Sequence, residues 1–210
     1  MSTLTRPGRR LVFGGMVLCL LGLLGCSSSN PSATRYYLLT DPQPGAVVPS
    51  SATPLSLAEL TLPMYLQSRN MAVVAGNTQV RGARGHRWAE PLADGVRRYL
   101  EDALAPALEG VSTLRLDVLI RHLHGSEAGT VVLDLSWRIR ERGSEEPLQS
   151  GRFSDSLEQE RPGYEALVLA HRLLLQRFVD YVEGAAGGLA NQKQQAPSSE
   201  APAMIEKPNS

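Results

Sequence analysis

The chain has 210 residues, 42% of them hydrophobic and 20% charged, with 21 basic and 21 acidic side chains and two cysteines. That balance, with no long basic run, leaves no electrostatic footprint for nucleic acid, and so few cysteines cannot supply a disulfide framework. The length and apolar content suit one folded domain with a single core.

In chain order, Arg6, Arg9 and Arg10 come first, followed by a stretch from Leu11 to Leu24 that carries no charge. This is the layout of a signal peptide, predicted over residues 1–25. The stretch falls short of the roughly 20 apolar residues that cross a bilayer, and Ser27, Ser28, Ser29, Asn30 and Pro31 end it abruptly. Leu23, Leu24, Gly25 and Cys26 resemble the lipobox of bacterial lipoproteins. The resemblance implies cleavage between Gly25 and Cys26, diacylglycerol on the Cys26 thiol and acylation of the new amino terminus. The alternative is an ordinary signal peptide with a cysteine at that place by chance. Cys19 would leave with the leader, as would three arginines, so the mature chain carries 18 basic residues against 21 acidic ones. Membrane attachment must then come from lipid rather than from a basic surface.

Residues 26–34 read as the acylated cysteine and a flexible tether, 35–184 as a single α+β domain, and 185–210 as a disordered tail with too few apolar residues to bury. Within the domain, "RYYLLT" (35–40) and "LSLAELTLP" (55–63) are strand candidates, and "MAVVAGNTQV" (71–80) predicts a hairpin turned at Gly76 and Asn77. A helix is expected to start at Pro91 and to bury Leu92, Val96, Tyr99, Leu100, Ala103 and Leu104, with Pro106 ending it. Residues 113–124 and 130–142 form a second hairpin, in which Val131, Leu133, Leu135, Trp137 and Ile139 alternate with polar positions. Residues 148–157 add a third strand. The last helix is expected from Gly163 to Glu183, stopped by Gly184, Gly187 and Gly188. Together these elements predict a mostly antiparallel sheet with two helices packed on one face.

Chemistry is harder to find. His122 and His124 share one face of a strand, but no third metal ligand stands at a suitable spacing, so exposed side chains at a strand end are expected. His171 lies on the apolar stripe of the last helix, where a hydrogen-bonded core histidine is expected. No serine sits in a G-x-S-x-G elbow, and "GARGH" (82–86) is Gly-rich but lacks the spacing of a phosphate-binding loop. The residues therefore predict no enzyme, no metal and no cofactor beyond covalent acyl chains on Cys26; binding or structure is the expected role.

"RYYLL", "LTLPMYLQSRNMAV" (60–73), "RWAEPLADGVRRYLEDAL" (87–104), "VLDLSWRI" (132–139) and "YEALVLAHRLLLQRF" resemble the auxiliary lipoproteins of ABC-type transport systems, over about residues 35–183. The more specific pieces are Leu62, Pro63, Tyr65, Leu66 and Arg69, and the run from Arg87 to Leu92. The resemblance implies an α+β domain facing the periplasm, anchored by lipid to the outer membrane, that serves an intermembrane lipid transport system together with a periplasmic MCE-domain protein and an inner-membrane component. A homo-oligomer is compatible with this reading. Ser27, directly after the cysteine, fits outer-membrane sorting in such lipoproteins. Pro63, Tyr65, Arg69 and Trp88 are the candidate partner-docking residues, because rigid loops with aromatic tips lose little entropy on binding. For Trp88, pinning its loop onto the helix is the alternative role. Two competing functions are a lipid carrier with its own apolar cavity and a periplasmic hydrolase.

Overall fold

The computed structural model describes residues 33–40, 55–104 and 113–195. The chain divides into two units, 1–33 and 34–210, and every helix and strand named here belongs to the second. In order they are β1 (Arg35–Tyr37), β2 (Leu55–Thr61), a 3-10 turn (Met64–Leu66), β3 (Asn70–Ala75), β4 (Gln79–Trp88), α1 (Leu92–Ala103), β5 (Leu114–Ser126), β6 (Thr130–Glu141), β7 (Pro147–Glu158) and α2 (Tyr164–Gln195). Gly25 and Cys26, with the expected leader and most of the tether, lie outside the described residues, and so does Pro106.

The α+β class holds, with one change: the sheet is mixed. Its order is β1-β4-β3-β5-β6-β7, and β2 pairs with β5. The hairpins β3–β4, β5–β6 and β6–β7 are antiparallel, whereas β1–β4, β2–β5 and β3–β5 are parallel. Antiparallel neighbours are joined by short turns and show in the sequence. Parallel partners need long crossovers, here passing through α1 for β2–β5 and β3–β5, and leave no local trace.

The hairpin expected within 71–80 is present, with Gly76 at φ 59° in its turn and Ala75 opposite Gln79. Its second strand, however, runs on to Trp88 and takes in the Gly-rich "GARGH", which local composition alone does not mark as a strand. Glycine weakens a strand, but this stretch is anchored at both ends, Gly82 opposite Ala72 of β3 and His86 opposite Arg35 of β1.

Alternation does what it predicts in β6: Val131, Leu133, Leu135, Trp137 and Ile139 are buried in the core. Helix α2 lies over that side of the sheet, with the Phe178 ring 5.5 Å from Phe153 and the Tyr181 ring 5.9 Å from Trp137. Its first turns come so close to β5 that a Cβ on Gly125 would stand 2.7 Å from Leu167 Cδ1, so a larger residue there would have to displace the Leu167 side chain. Helix α1 buries Leu92, Val96, Leu100 and Ala103, as its spacing requires, and packs against β2 and α2. The Tyr99 hydroxyl joins the two helices by donating to the Arg172 carbonyl at 3.1 Å. Arg172 in turn donates to the carbonyls of Leu38, Leu39 and Thr40, fastening the segment after β1 to α2.

The expected stop of the last helix at Gly184 is corrected: α2 continues through Gly184, Gly187 and Gly188 to Gln195. A helical glycine costs only about 1 kcal/mol, and the apolar stripe goes on past Val182 to a fully buried Ala186. Residues 184–195 thus belong to the domain's helix rather than to the tail, whose residues 196–210 lie outside the described ones. A chain ending at Glu183 should therefore melt several degrees below one ending at Gln195, a loss of about 1–2 kcal/mol measurable by calorimetry.

Candidate docking surface

The two sequence motifs lie side by side. The backbone N–H of Trp88 donates to the Arg69 carbonyl at 2.8 Å, and Asn70 pairs with Arg87 across β3 and β4. The chain from Pro63 to Asn70 is thereby stitched to the end of β4.

Pro63, at φ −65°, opens the 3-10 turn, and the N–H of Leu66 closes it on the Pro63 carbonyl at 3.0 Å. Leu62 and Leu66 plug the turn into the core, while Met64 between them is 83% exposed. Tyr65 is half-buried and its hydroxyl donates to the Arg121 carbonyl at 3.3 Å, beside a register shift in β5. Burial raises the Tyr65 phenol above its ordinary pKa, with the Leu123 backbone working against it. The phenol is therefore a neutral strut at neutral pH. Of the sequence candidates, Pro63 and Tyr65 are half-buried and Arg69 is exposed. The residue that sequence reasoning missed is Met64, whose place at the tip depends on a 3-10 turn too short to show periodicity.

Trp88 is no docking residue. It is 3% exposed, with its ring 5.9 Å from that of His171, so its role is to pin β4 against α2. The segment after Trp88 also braces the scaffold: Arg98 of α1 grips Glu90 with two hydrogen bonds, of 2.8 and 3.2 Å.

His122 and His124 share a face, with rings 5.7 Å apart. Among the described residues, no group of three or more His, Cys, Asp or Glu could hold a metal. Burial lowers the pKa of the His124 imidazole. His171 is a core histidine, 2% exposed, but the expected hydrogen bond is missing: neither ring nitrogen has a partner among the described residues. Burial, helped by the charge of His124, pushes its pKa down to about 3, so it is neutral at pH 7.

Among the hollows of the described residues, two stand out. One, of about 860 Å³, lies where α2 begins and mixes Val73, Ala83 and Leu167 with Arg81, Arg84, Glu127 and Glu158. The other, of about 630 Å³, lies along β5, β6 and β7 and is lined by Glu59, Asp117, Leu119, Arg121, Arg138 and Arg152 among others. Charged side chains line both. No helix among the described residues is long and apolar enough to cross a membrane.

Comparison with known proteins agrees with this architecture. Protein XCC0632 from Xanthomonas campestris, a crystal structure, superposes with a TM-score of 0.56 at 19% identity, covering 77% of this chain and 100% of that one. The crystal structure of an uncharacterized protein does so with a TM-score of 0.51 at 21% identity, covering 77% and 99%. Both share the fold. No curated protein matches the chain. The model of the ABC-type transport auxiliary lipoprotein component family matches residues 37–183, from the end of β1 deep into α2. By that match over most of its length, the chain belongs to the ABC-type transport auxiliary lipoprotein component family.

Proposed function

We propose that the protein is a non-catalytic adaptor, acylated on Cys26 and held by that lipid in the outer membrane, where its domain faces the periplasm. There it docks a periplasmic MCE-domain protein and, through it, the inner-membrane component of a lipid transport system, as its resemblance to paraquat-inducible protein C implies. The observation that carries this reading is the family match over 37–183, which spans nearly the whole α+β domain and assigns the family an auxiliary place in transport. The lipobox-like run ending at Cys26 supplies the anchor. Two or more acyl chains attach stably, since each buried CH2 contributes about 0.8 kcal/mol and one chain alone is marginal.

A lipid carrier would need an apolar cavity around its cargo. Two hollows described on this domain are instead lined with arginines and carboxylates, which supports the adaptor. The test is to purify the acylated protein from native membranes and identify what accompanies it: an MCE-domain protein is expected, and its absence overturns the adaptor. Cys26→Ser should leave the domain folded but shift it out of the membrane fraction or leave it unprocessed. A mature-sized Cys26→Ser protein still in the outer membrane would contradict the anchor.

A further inference from the structure

Alternation along the central strands divides the sheet into a covered and an open face. Leu116, Val118, Leu135 and Trp137 are buried in the core, so Asp117, Leu119, Ser136 and Arg138 stand on the side away from it. Arginines dominate that open side. Arg138 and Arg140 both donate to Asp117 Oδ2, at 2.7 and 3.0 Å, and Arg152 holds Asp134 with two hydrogen bonds of 2.7 and 2.8 Å. The Arg152 hydrogen bonds hold the Asp134 carboxyl below its ordinary pKa against the opposing effect of burial.

Three features remain unsatisfied among the described residues. Arg121 is exposed and its side chain has no hydrogen bond or ion pair, although its charge reaches Asp134. Asp117 is 5% exposed, lines the 630 Å³ groove, and its Oδ1 is buried without a partner. Leu119 is 43% exposed beside them. The Tyr65 hydroxyl rests on the Arg121 carbonyl, which brings the 3-10 turn with its exposed Met64 beside the groove-lining Arg121; Arg69, three residues past the turn, is also exposed.

We infer that the face carrying Met64, Arg69, Arg121 and the Asp117 groove docks an acidic polypeptide segment that also carries apolar side chains. The inference rests on the adaptor reading and specifies its partner. Carboxylates of the segment meet Arg121 and Arg69, and its apolar side chains cover Met64 and Leu119. Charge complementarity selects the sign of the partner. A membrane surface is the poorer occupant, because Glu59 in the groove lining repels an anionic headgroup layer.

The test uses the full acylated chain in phosphatidylcholine nanodiscs and a short fluorescent peptide of alternating Glu and Leu. Its counterpart has Lys for Glu, and phosphatidylglycerol vesicles serve as the lipid arm. The acidic peptide should bind, the basic one should not, and raising salt from about 50 to about 500 mM should weaken binding severalfold. Arg121→Glu should weaken it at least tenfold and Arg121→Gln by less, with thermal melts unchanged. Arg84→Glu, on β4 beside the other hollow, should have no effect. Equal binding of both peptides, indifference to Arg121→Glu, or Arg121-dependent capture of the vesicles without the peptide would each overturn the inference. Copurification from native membranes separates the two levels: a partner retained by Arg121→Glu overturns this surface alone, whereas no MCE-domain partner with the unaltered protein overturns the adaptor.

Discussion

Trp88→Ala should destabilise the domain by about 3–5 kcal/mol, the usual cost of emptying a buried tryptophan site. The indole is 3% exposed and touches α2 through His171, while its backbone N–H holds Arg69. The variant should therefore loosen the 3-10 turn as well, raising hydrogen exchange at 63–70 more than at the β5–β6 pairing. Denaturant unfolding together with hydrogen exchange checks this. A loss under about 1 kcal/mol with full partner binding would mean that Trp88 does not pin the motif.

Acid should destabilise the protein well above the carboxylate range, because of His171. Its folded pKa is about 3 and its unfolded pKa ordinary, about 6.5, so between these values the unfolded chain binds a proton that the folded one refuses. Stability accordingly falls as pH falls from about 6.5 towards 3, by about 1.4 kcal/mol per pH unit, and is unaffected by this group above that window. The depressed imidazoles of His86 and His124 act in the same direction, and Asp134, also depressed, adds its share only below the unfolded carboxylate pKa of about 4. His171→Leu isolates the main contribution. It removes two buried nitrogens that lack partners among the described residues, so it should be neutral or stabilising at pH 7 and flatten the curve between pH 6.5 and 4. Parallel slopes in the two proteins would contradict the assignment.

Periodicity made the core legible: Leu92, Val96 and Leu100 on α1, the alternating run from Val131 to Ile139, and Leu174, Leu175, Phe178 and Val182 on α2 are all buried. Signals that depend on partners far along the chain were not legible. The Arg172 clamp on residues 38–40, the parallel pairing of β2 with β5, and the strand character of 82–86 each need an element remote in sequence. The glycine stop at 184 misled because a local propensity of about 1 kcal/mol yields to a continuous buried stripe. At the candidate site, Tyr65 and Arg69 came from a family-like motif, whereas Asp117 stands out only once register places it on the open face, and Arg121 only through the groove it lines with Asp117.

The most direct measurement of the adaptor reading is site-specific photocrosslinking in living cells, with the photoreactive residue at Met64 of the acylated protein and, separately, at Leu169. Both positions are exposed, at 83% and 49%, but Met64 tips the 3-10 turn and Leu169 lies on α2. Met64 should yield a crosslink to the MCE-domain protein, identified by mass spectrometry and lost in Arg121→Glu, while Leu169 should yield none. A crosslink to that protein from Leu169 with none from Met64, or crosslinks from Met64 to lipid alone, would contradict the adaptor reading.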